Sequence, residues 1–437
     1  MGHLAGKDVF RKVGKKIDGL GVRVHWNEAL HRIVREIFSE AEADLYVRMP
    51  YGLSPLDRLE RVTGIEPARL RTMLEAMADK GLVLDIWAKD DYYYMPSPLF
   101  VGLFEFTMMR TDAGANPALM ARLFHEYLGD GLVYRRNSGG AASVGPLRAL
   151  PHEGTVQEGV EVLDYEKATA LVAAASRFSI GLCSCRHQKE HLGERQCPDP
   201  LEMCTSMDKG ADFLIRHQMA REISRGEMLD HLARSRERGL VLCADNVRAK
   251  VGFICNCCPC CCEVMRGISR FGYPHTVVTS SFIAHSNAAA CSGCAKCAKA
   301  CPIQAITMRP VASAAEGKKK KQEPVVDTAL CMGCGVCALD CSTGAMRLDK
   351  RGQRVIHPET TFERVVLQCL DHGTLQNLIF DDPGSVSQEA MRAILGAFLA
   401  LPPVKKTLMS DVLRSRFLGA MKSAVVARQD KADLLEL

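Results

Sequence analysis

A chain of 437 residues is long enough for about three domains, each able to bury its own core. Hydrophobic residues at 47% and charged residues at 24% are ordinary for folded protein and exclude a wholly disordered or fibrous chain. A net charge of +5 is small for this length and drives binding neither to nucleic acid nor to an anionic surface, and no run approaches the roughly 18 apolar residues that span a bilayer.

In chain order, residues 1–28 are basic and mildly amphipathic and read as an extension. Ile33, Val34, Ile37, Phe38, Leu45 and Met49 then recur at helical intervals, interrupted at Ser39 with Glu42 three residues on, the signature of a capping box. Two helices ending at Pro50 are predicted. Ser54-Pro55-Leu56-Asp57 predicts the next, with Ser54 as its cap and Gly64 as its end. Glu66-Pro67 opens another, whose Leu70, Met73, Leu74 and Met77 make a core-facing stripe up to Gly81.

Beyond Gly81 the period changes to two: Leu82, Leu84 and Ile86 alternate, Lys89-Asp90-Asp91 turn the chain, and Tyr92 to Tyr94 return. Helices followed by a hairpin are the order of a winged helix, and residues 29–96 resemble that fold. Its would-be recognition helix carries Glu66, Arg69, Arg71, Glu75, Asp79 and Lys80, which balance, while the hairpin adds Asp85, Asp90 and Asp91 against Lys89. Phosphate binding needs clustered Lys and Arg. Docking of a protein is therefore expected here rather than binding of DNA.

Residues 97–180 read as a mainly helical connector with Leu119, Leu123, Phe124, Tyr127 and Leu128 on one face. The glycine-rich stretch 137–145 fits neither the dinucleotide fingerprint nor the phosphate-binding loop, and no flavin or nicotinamide site is evident. A helix over 163–178 and a short strand over 179–182 are expected to lead into the cysteines.

Of the 20 cysteines, all but Cys369 fall between Cys183 and Cys341. Such spacing in a chain whose N-terminus has no apolar leader points to a reducing, cytoplasmic setting and to metal ligation rather than disulfides. Cys183, Cys185, Cys197 and Cys204 form one candidate ligand set for a cluster, with zinc as the rival occupant because four thiolates also suit a closed tetrahedral site. Arg186, beside them, is a candidate to offset cluster charge or to donate to its sulfurs, or else an ordinary carboxylate partner; His187 and His191 are left out of the set.

Helices over 211–223 and 228–238, then strands over 240–243 and 251–255, carry the chain to Cys255-Asn256-Cys257-Cys258-Pro259-Cys260-Cys261-Cys262. With Cys243 these make a second candidate set, of which only a subset can ligate one cluster, because adjacent side chains diverge from extended backbone. Residues 181–286 are read as a cysteine-rich cluster-binding domain of mixed α/β type.

Cys291, Cys294, Cys297 and Cys301, then Cys331, Cys334, Cys337 and Cys341, are two copies of C-x2-C-x2-C-x3-C. Three thiolates two residues apart can point inward from one tight loop, and zinc sites usually pair two shorter units instead. Residues 291–346 closely resemble the bacterial-type dicluster ferredoxins. The resemblance implies two [4Fe–4S] clusters with crossed fourth ligands: Cys291, Cys294, Cys297 and Cys341 for one, Cys331, Cys334, Cys337 and Cys301 for the other.

Two features depart from that pattern. Ser342 stands where a proline is usual, and the connector carries Gly317 and Lys318 to Lys321, either a solvated hairpin tip or a landing point for an acidic redox partner. The ferredoxin-like unit is taken to run over 287–356, completed by strands at 345–348 and 354–356.

Residues 357–437 read as a helical C-terminal region. Cys369 is expected to be a buried apolar thiol, and the stretch from Ala393 to Val404 a buried helix followed by a turn, with in-plane membrane contact as the other reading because Lys405-Lys406 flank it. The fold class expected is thus α+β and multidomain. The order of winged helix, C-x-C-R-H, vicinal cysteines and two ferredoxin motifs resembles a group of four-iron ferredoxin-domain proteins from anaerobic bacteria.

The function expected is electron transfer, relaying single electrons through two [4Fe–4S] clusters and one or two more upstream between redox partner proteins. A reductase with a catalytic iron–sulfur centre at Cys183–Cys262 and a redox-sensing winged-helix regulator are the alternatives.

Overall fold

The computed structural model describes residues 8–110, 116–139, 144–311, 322–352, 355 and 357–429. It is a mixture of helix and sheet. The first element, α1 (Val9–Asp18), is capped by the Asp8 carboxylate, which accepts from the Phe10 and Arg11 N–H groups. The stretch read as an extension thus becomes part of the core: Val13 and Ile17 are fully buried with Leu30, Ile33, Val34, Tyr46 and Leu74. Helices α2 (Glu28–Ile37) and α3 (Glu40–Arg48) follow, with the reciprocal Ser39–Glu42 capping box in place.

Ser54 does not cap the next helix. Its hydroxyl donates to the Gly52 carbonyl at 3.1 Å, and Ser54–Pro55 (β1) pairs with Tyr94 and Tyr93, so α4 (Leu56–Thr63) starts without a side-chain cap. After α5 (Pro67–Asp79) come β2 (Val83–Ala88) and β3 (Asp91–Pro96), which complete a sheet of order β1-β3-β2.

Helices α6 (Phe104–Met109), α7 (Pro117–Gly129) and α8 (Leu132–Ser138) extend the same apolar core through Phe104, Phe124 and Tyr127. The chain then builds an antiparallel sheet of six strands: β4 (Leu147–Leu150), β5 (Phe178–Leu182), β6 (Glu202–Met207), β7 (Ala220–Ile223), β8 (Val241–Asp245) and β9 (Phe253–Cys257), ordered β4-β8-β9-β6-β5-β7. Helices α9 (Ala168–Ala174), α10 (Ser184–His191), α11 (Asp208–Arg216), α12 (Arg225–Glu237) and α13 (Glu263–Ser269) surround it.

The helix expected over 211–223 is two elements. Gln218 takes φ +55°, which ends α11, and residues 220–223 leave as an edge strand on β5. The helix expected from 163 is shortened to α9, because a tight turn at Asp164–Glu166 buries Glu166, whose carboxylate accepts from the Ser281 N–H at 3.0 Å.

In the ferredoxin-like segment β10 (Phe282–Ser286) pairs with β13 (Met346–Lys350), and β11 (Ile306–Pro310) pairs with β12 (Gln322–Val326). Short helices α14 (Lys296–Ala300) and α15 (Val336–Leu339) follow the two cysteine loops. The lysine run 318–321, Arg354 and Ile356, and residues 140–143 of the glycine-rich stretch lie outside the described residues.

The tail is α16 (Thr361–His372), α17 (Leu375–Ile379), α18 (Val386–Leu399), α19 (Pro402–Leu408) and α20 (Asp411–Gln429). Cys369 is buried among Leu367, Leu370 and Leu375. The stretch 393–404 spans the end of α18 and the start of α19 and is not a buried helix: Ile394, Phe398 and Leu401 are exposed. Among the described residues no helix is long and apolar enough to cross a membrane.

Candidate metal centres

Each ferredoxin-type loop is turned inward by alternate left-handed residues. Gly293 and Ala295 take φ +73° and +61°, and Gly333 and Gly335 take +71° and +83°. Cys291, Cys294 and Cys297 share with Cys341 a hollow whose empty volume, counted out to the open surface, is about 330 Å³. Burial, followed by the charges of Cys291, Cys341 and Cys294, pushes the Cys297 thiol up. Backbone groups are already aimed at these sulfurs: the Met346 N–H donates to Cys341 Sγ at 3.3 Å, and the Ala305 N–H to Cys301 Sγ at 3.2 Å. Such bonds favour the thiolate a metal needs and tune the potential of what it holds.

The two loops differ in depth. Cys294 is exposed, whereas Cys331, Cys334 and Cys337 are buried. Burial pushes Cys334 up to about 12 and Cys337 higher, with the neighbouring Cys331 and Cys301 charges adding to it. Thiols held this far from ionisation are stabilised as thiolates only by a cationic partner. The second loop is also braced from both sides: the His152 N–H donates to the Cys334 carbonyl at 3.0 Å, and the Arg351 guanidinium donates to the carbonyls of Ser280 and Cys331.

Upstream, the six-stranded sheet sets three thiols in one cross-strand row. Cys243 on β8 faces Cys255 on β9, which faces Cys204 on β6, and small residues, Ala149 and Gly181, stand at either end. Aligned residues project to the same face, and Cys257, two residues after Cys255, joins them. Cys183 and Cys262 precede the first residues of α10 and α13, and Cys185 lies in the first turn of α10.

The seven thiols influence one another as a string of neighbours from Cys183 to Cys185, Cys262 and Cys257, branching there to Cys243 and to Cys255 and Cys204. Contact with Cys185 first, and burial second, push Cys183 up; Cys255 rises for the same reasons beside Cys204 and Cys257. Five of the seven residues are half-buried, and Cys243 and Cys262 are buried. Seven thiol donors, more than one ion can take, fit a multi-iron core.

The remaining four upstream thiols stand apart. Cys197, Cys258, Cys260 and Cys261 lie with all sulfurs within 4.8 Å of one another. Of the set expected from sequence, Cys183, Cys185, Cys197 and Cys204, only Cys197 is in this group; the sheet register places Cys204 elsewhere, and the start of α10 takes Cys183 and Cys185 with it. The long-range pairing that decides this grouping leaves no local trace in the spacing.

Arg186 is fully buried, and its Nη2 donates to the Asn256 carbonyl at 2.9 Å. Its Nε and Nη1 have no nitrogen or oxygen partner. Burial would lower its pKa, but the charges of Cys183 and Cys258 and the Cys197 sulfur beside it raise it. Asp199 lies 3.7 Å away, so Arg186 has a carboxylate partner as well as thiols beside it. His187 accepts no metal-directed role: its Nδ1 donates to the Met108 carbonyl at 2.6 Å, and its Nε2 meets His191 Nε2 at 3.0 Å.

One apolar cluster joins these groups. Cys243 and Cys262 from the sheet region pack with Cys334 and Val336 of the second ferredoxin-type loop, with Cys255, Cys257 and Cys301 against them.

Comparison with known proteins finds the 4Fe-4S dicluster domain at residues 290–359. No curated protein and no solved structure matches the chain. The matched domain and the clustered cysteines support iron–sulfur electron transfer. The chain carries an iron–sulfur domain over residues 290–359, of a kind that takes [4Fe–4S] clusters.

Proposed function

We propose that this chain relays single electrons between redox partner proteins. One [4Fe–4S] cluster is held by Cys291, Cys294, Cys297 and Cys341, a second by Cys331, Cys334, Cys337 and Cys301, and a further iron–sulfur centre by the seven-thiol string. Each such centre, when bound, takes up and returns one electron at a time. The observation that carries the reading is the difference in depth between the two loops, from exposed Cys294 to buried Cys331, Cys334 and Cys337, together with the apolar cluster in which Cys334 packs with Cys243 and Cys262 of the sheet region. The exposed end meets the partner, and the buried loop excludes water from the next step.

The N-terminal unit serves as a scaffold or docking module in this reading. The order of its elements and its β1-β3-β2 sheet support a winged-helix-like fold. Its hairpin is turned onto the middle of the chain, because Arg216 grips Asp85 at 2.7 Å and His217 reaches Asp85 at 2.9 Å. That engagement, with the balanced charge of α5, favours protein contact over DNA.

Anaerobically prepared full chain should contain at least about eight iron atoms with matching sulfide and should accept electrons in successive one-electron steps, followed by paramagnetic resonance. Clearly less iron than that, or clusters that do not reduce, would sink the proposal.

A further inference from the structure

We propose that Cys197, Cys258, Cys260 and Cys261 form a closed tetrahedral site for a single divalent ion, zinc in the first place, separate from every iron–sulfur centre of the chain. The sulfur separations carry this. Cys197 stands 3.6 Å from Cys258 and 3.8 Å from Cys261, and Cys260 stands 3.7 Å from Cys258 and 3.5 Å from Cys261. A tetrahedron with metal–sulfur bonds of about 2.3 Å has edges of about 3.8 Å. One ion at the centre therefore reaches all four sulfurs with little movement.

A four-iron core needs its thiolates spread wider, since each binds a different iron. The chain holds its own comparison: among the described residues no three sulfurs of the ferredoxin-type loops, or of the seven-thiol string, crowd within 4.8 Å of each other. The same polypeptide thus sets thiols in two geometries, one spread around a hollow and one closed on a point.

Charge and connectivity agree. Binding displaces one proton from each thiol, and four thiolates around a divalent cation leave a net charge of −2. Arg186, fully buried with Nε and Nη1 lacking nitrogen or oxygen partners, is the cation placed to offset it. Cys197 comes from the irregular stretch between α10 and β6, and the other three from the turn between β9 and α13. An ion there ties together two segments that have few backbone hydrogen bonds of their own, the task of a structural zinc site.

The test is metal and sulfide analysis of the anaerobically prepared full chain and its Cys260→Ser variant, with X-ray absorption at the zinc edge of the unaltered chain. The expected result is one zinc per chain, bound by four sulfurs at about 2.3 Å, and its loss in the variant with iron and sulfide unchanged. Loss of one iron without sulfide also upholds a one-ion site. Loss of about four irons with their sulfide would overturn it. So would a chain with full cluster content and neither zinc nor mononuclear iron, a result that does not require the variant to fold. Neither outcome depends on whether the clusters carry electrons.

Discussion

Two positions that match in the two ferredoxin-type loops are treated differently by the fold. The residue just before the second cysteine is Gly293 in one loop and Gly333 in the other; the residue just after it is Ala295 and Gly335. All four take positive φ. A Cβ on Gly333 would stand 2.2 Å from the Phe282 carbonyl oxygen and 2.3 Å from Ser280 Oγ, and backbone cannot yield cheaply. Gly333→Ala should therefore cost about 1–3 kcal/mol and loosen the buried loop. Ala295 already bears the left-handed strain, so Ala295→Gly should be neutral or stabilising by under about 1 kcal/mol. Denaturant midpoints of the two variants, read with iron retention, check this; equal effects at both positions would refute the argument. The spacing of the cysteines, and a tight loop at each motif, were legible in the sequence. The burial that separates the two loops was not, because it comes from His152, Thr155 and Ser280, residues far from either motif.

Elements were legible where their own periodicity carried them. The Ser39–Glu42 box, the stripe of α5 and the β2–β3 hairpin stand where the sequence predicts them. Strands β4, β6 and β7 were missed, and each finds its partners across the sheet from distant segments, so no local alternation marks them. Helix α1 was missed for another reason: its lysines and arginine mask a narrow apolar stripe, and one of those lysines is itself inside. Lys16 is 3% exposed; its Nζ donates to the Met49 carbonyl and lies 3.5 Å over the Tyr51 ring. Burial lowers its pKa to about 7, against the pull of Asp381. Between that value and the unfolded value of about 10.4, the unfolded chain holds a proton the folded one has released, so stability rises with pH across this window. Thermal unfolding should show the full chain gaining on the order of 2 kcal/mol from pH 7 to pH 9 relative to Lys16→Met. Parallel pH profiles for the two proteins would remove Lys16 as the cause.

At the scale of the whole molecule, the difference in depth between the two ferredoxin-type sites separates their chemistry in time. Cys294 is open to solvent and Cys291, Cys297 and Cys341 are half-buried, while the second loop is closed in by β10, by the His152–Thr155 turn and by two apolar clusters, one joining Cys334 to Cys243 and Cys262 and the other packing Cys331 and Cys337 with Phe282, Met346 and Leu348. A chelator removes metal from a site it can approach and otherwise waits for local opening, whose free energy rises with packing. Anaerobic incubation with an iron chelator should therefore release iron in steps, about four atoms first from the outer site and the rest far more slowly. The fast step should vanish in Cys294→Ser, which empties the outer site beforehand, and should persist in Cys337→Ser. Release of all iron in one phase would mean that the domain opens as a unit, and the burial gradient would then not govern access to the buried centres.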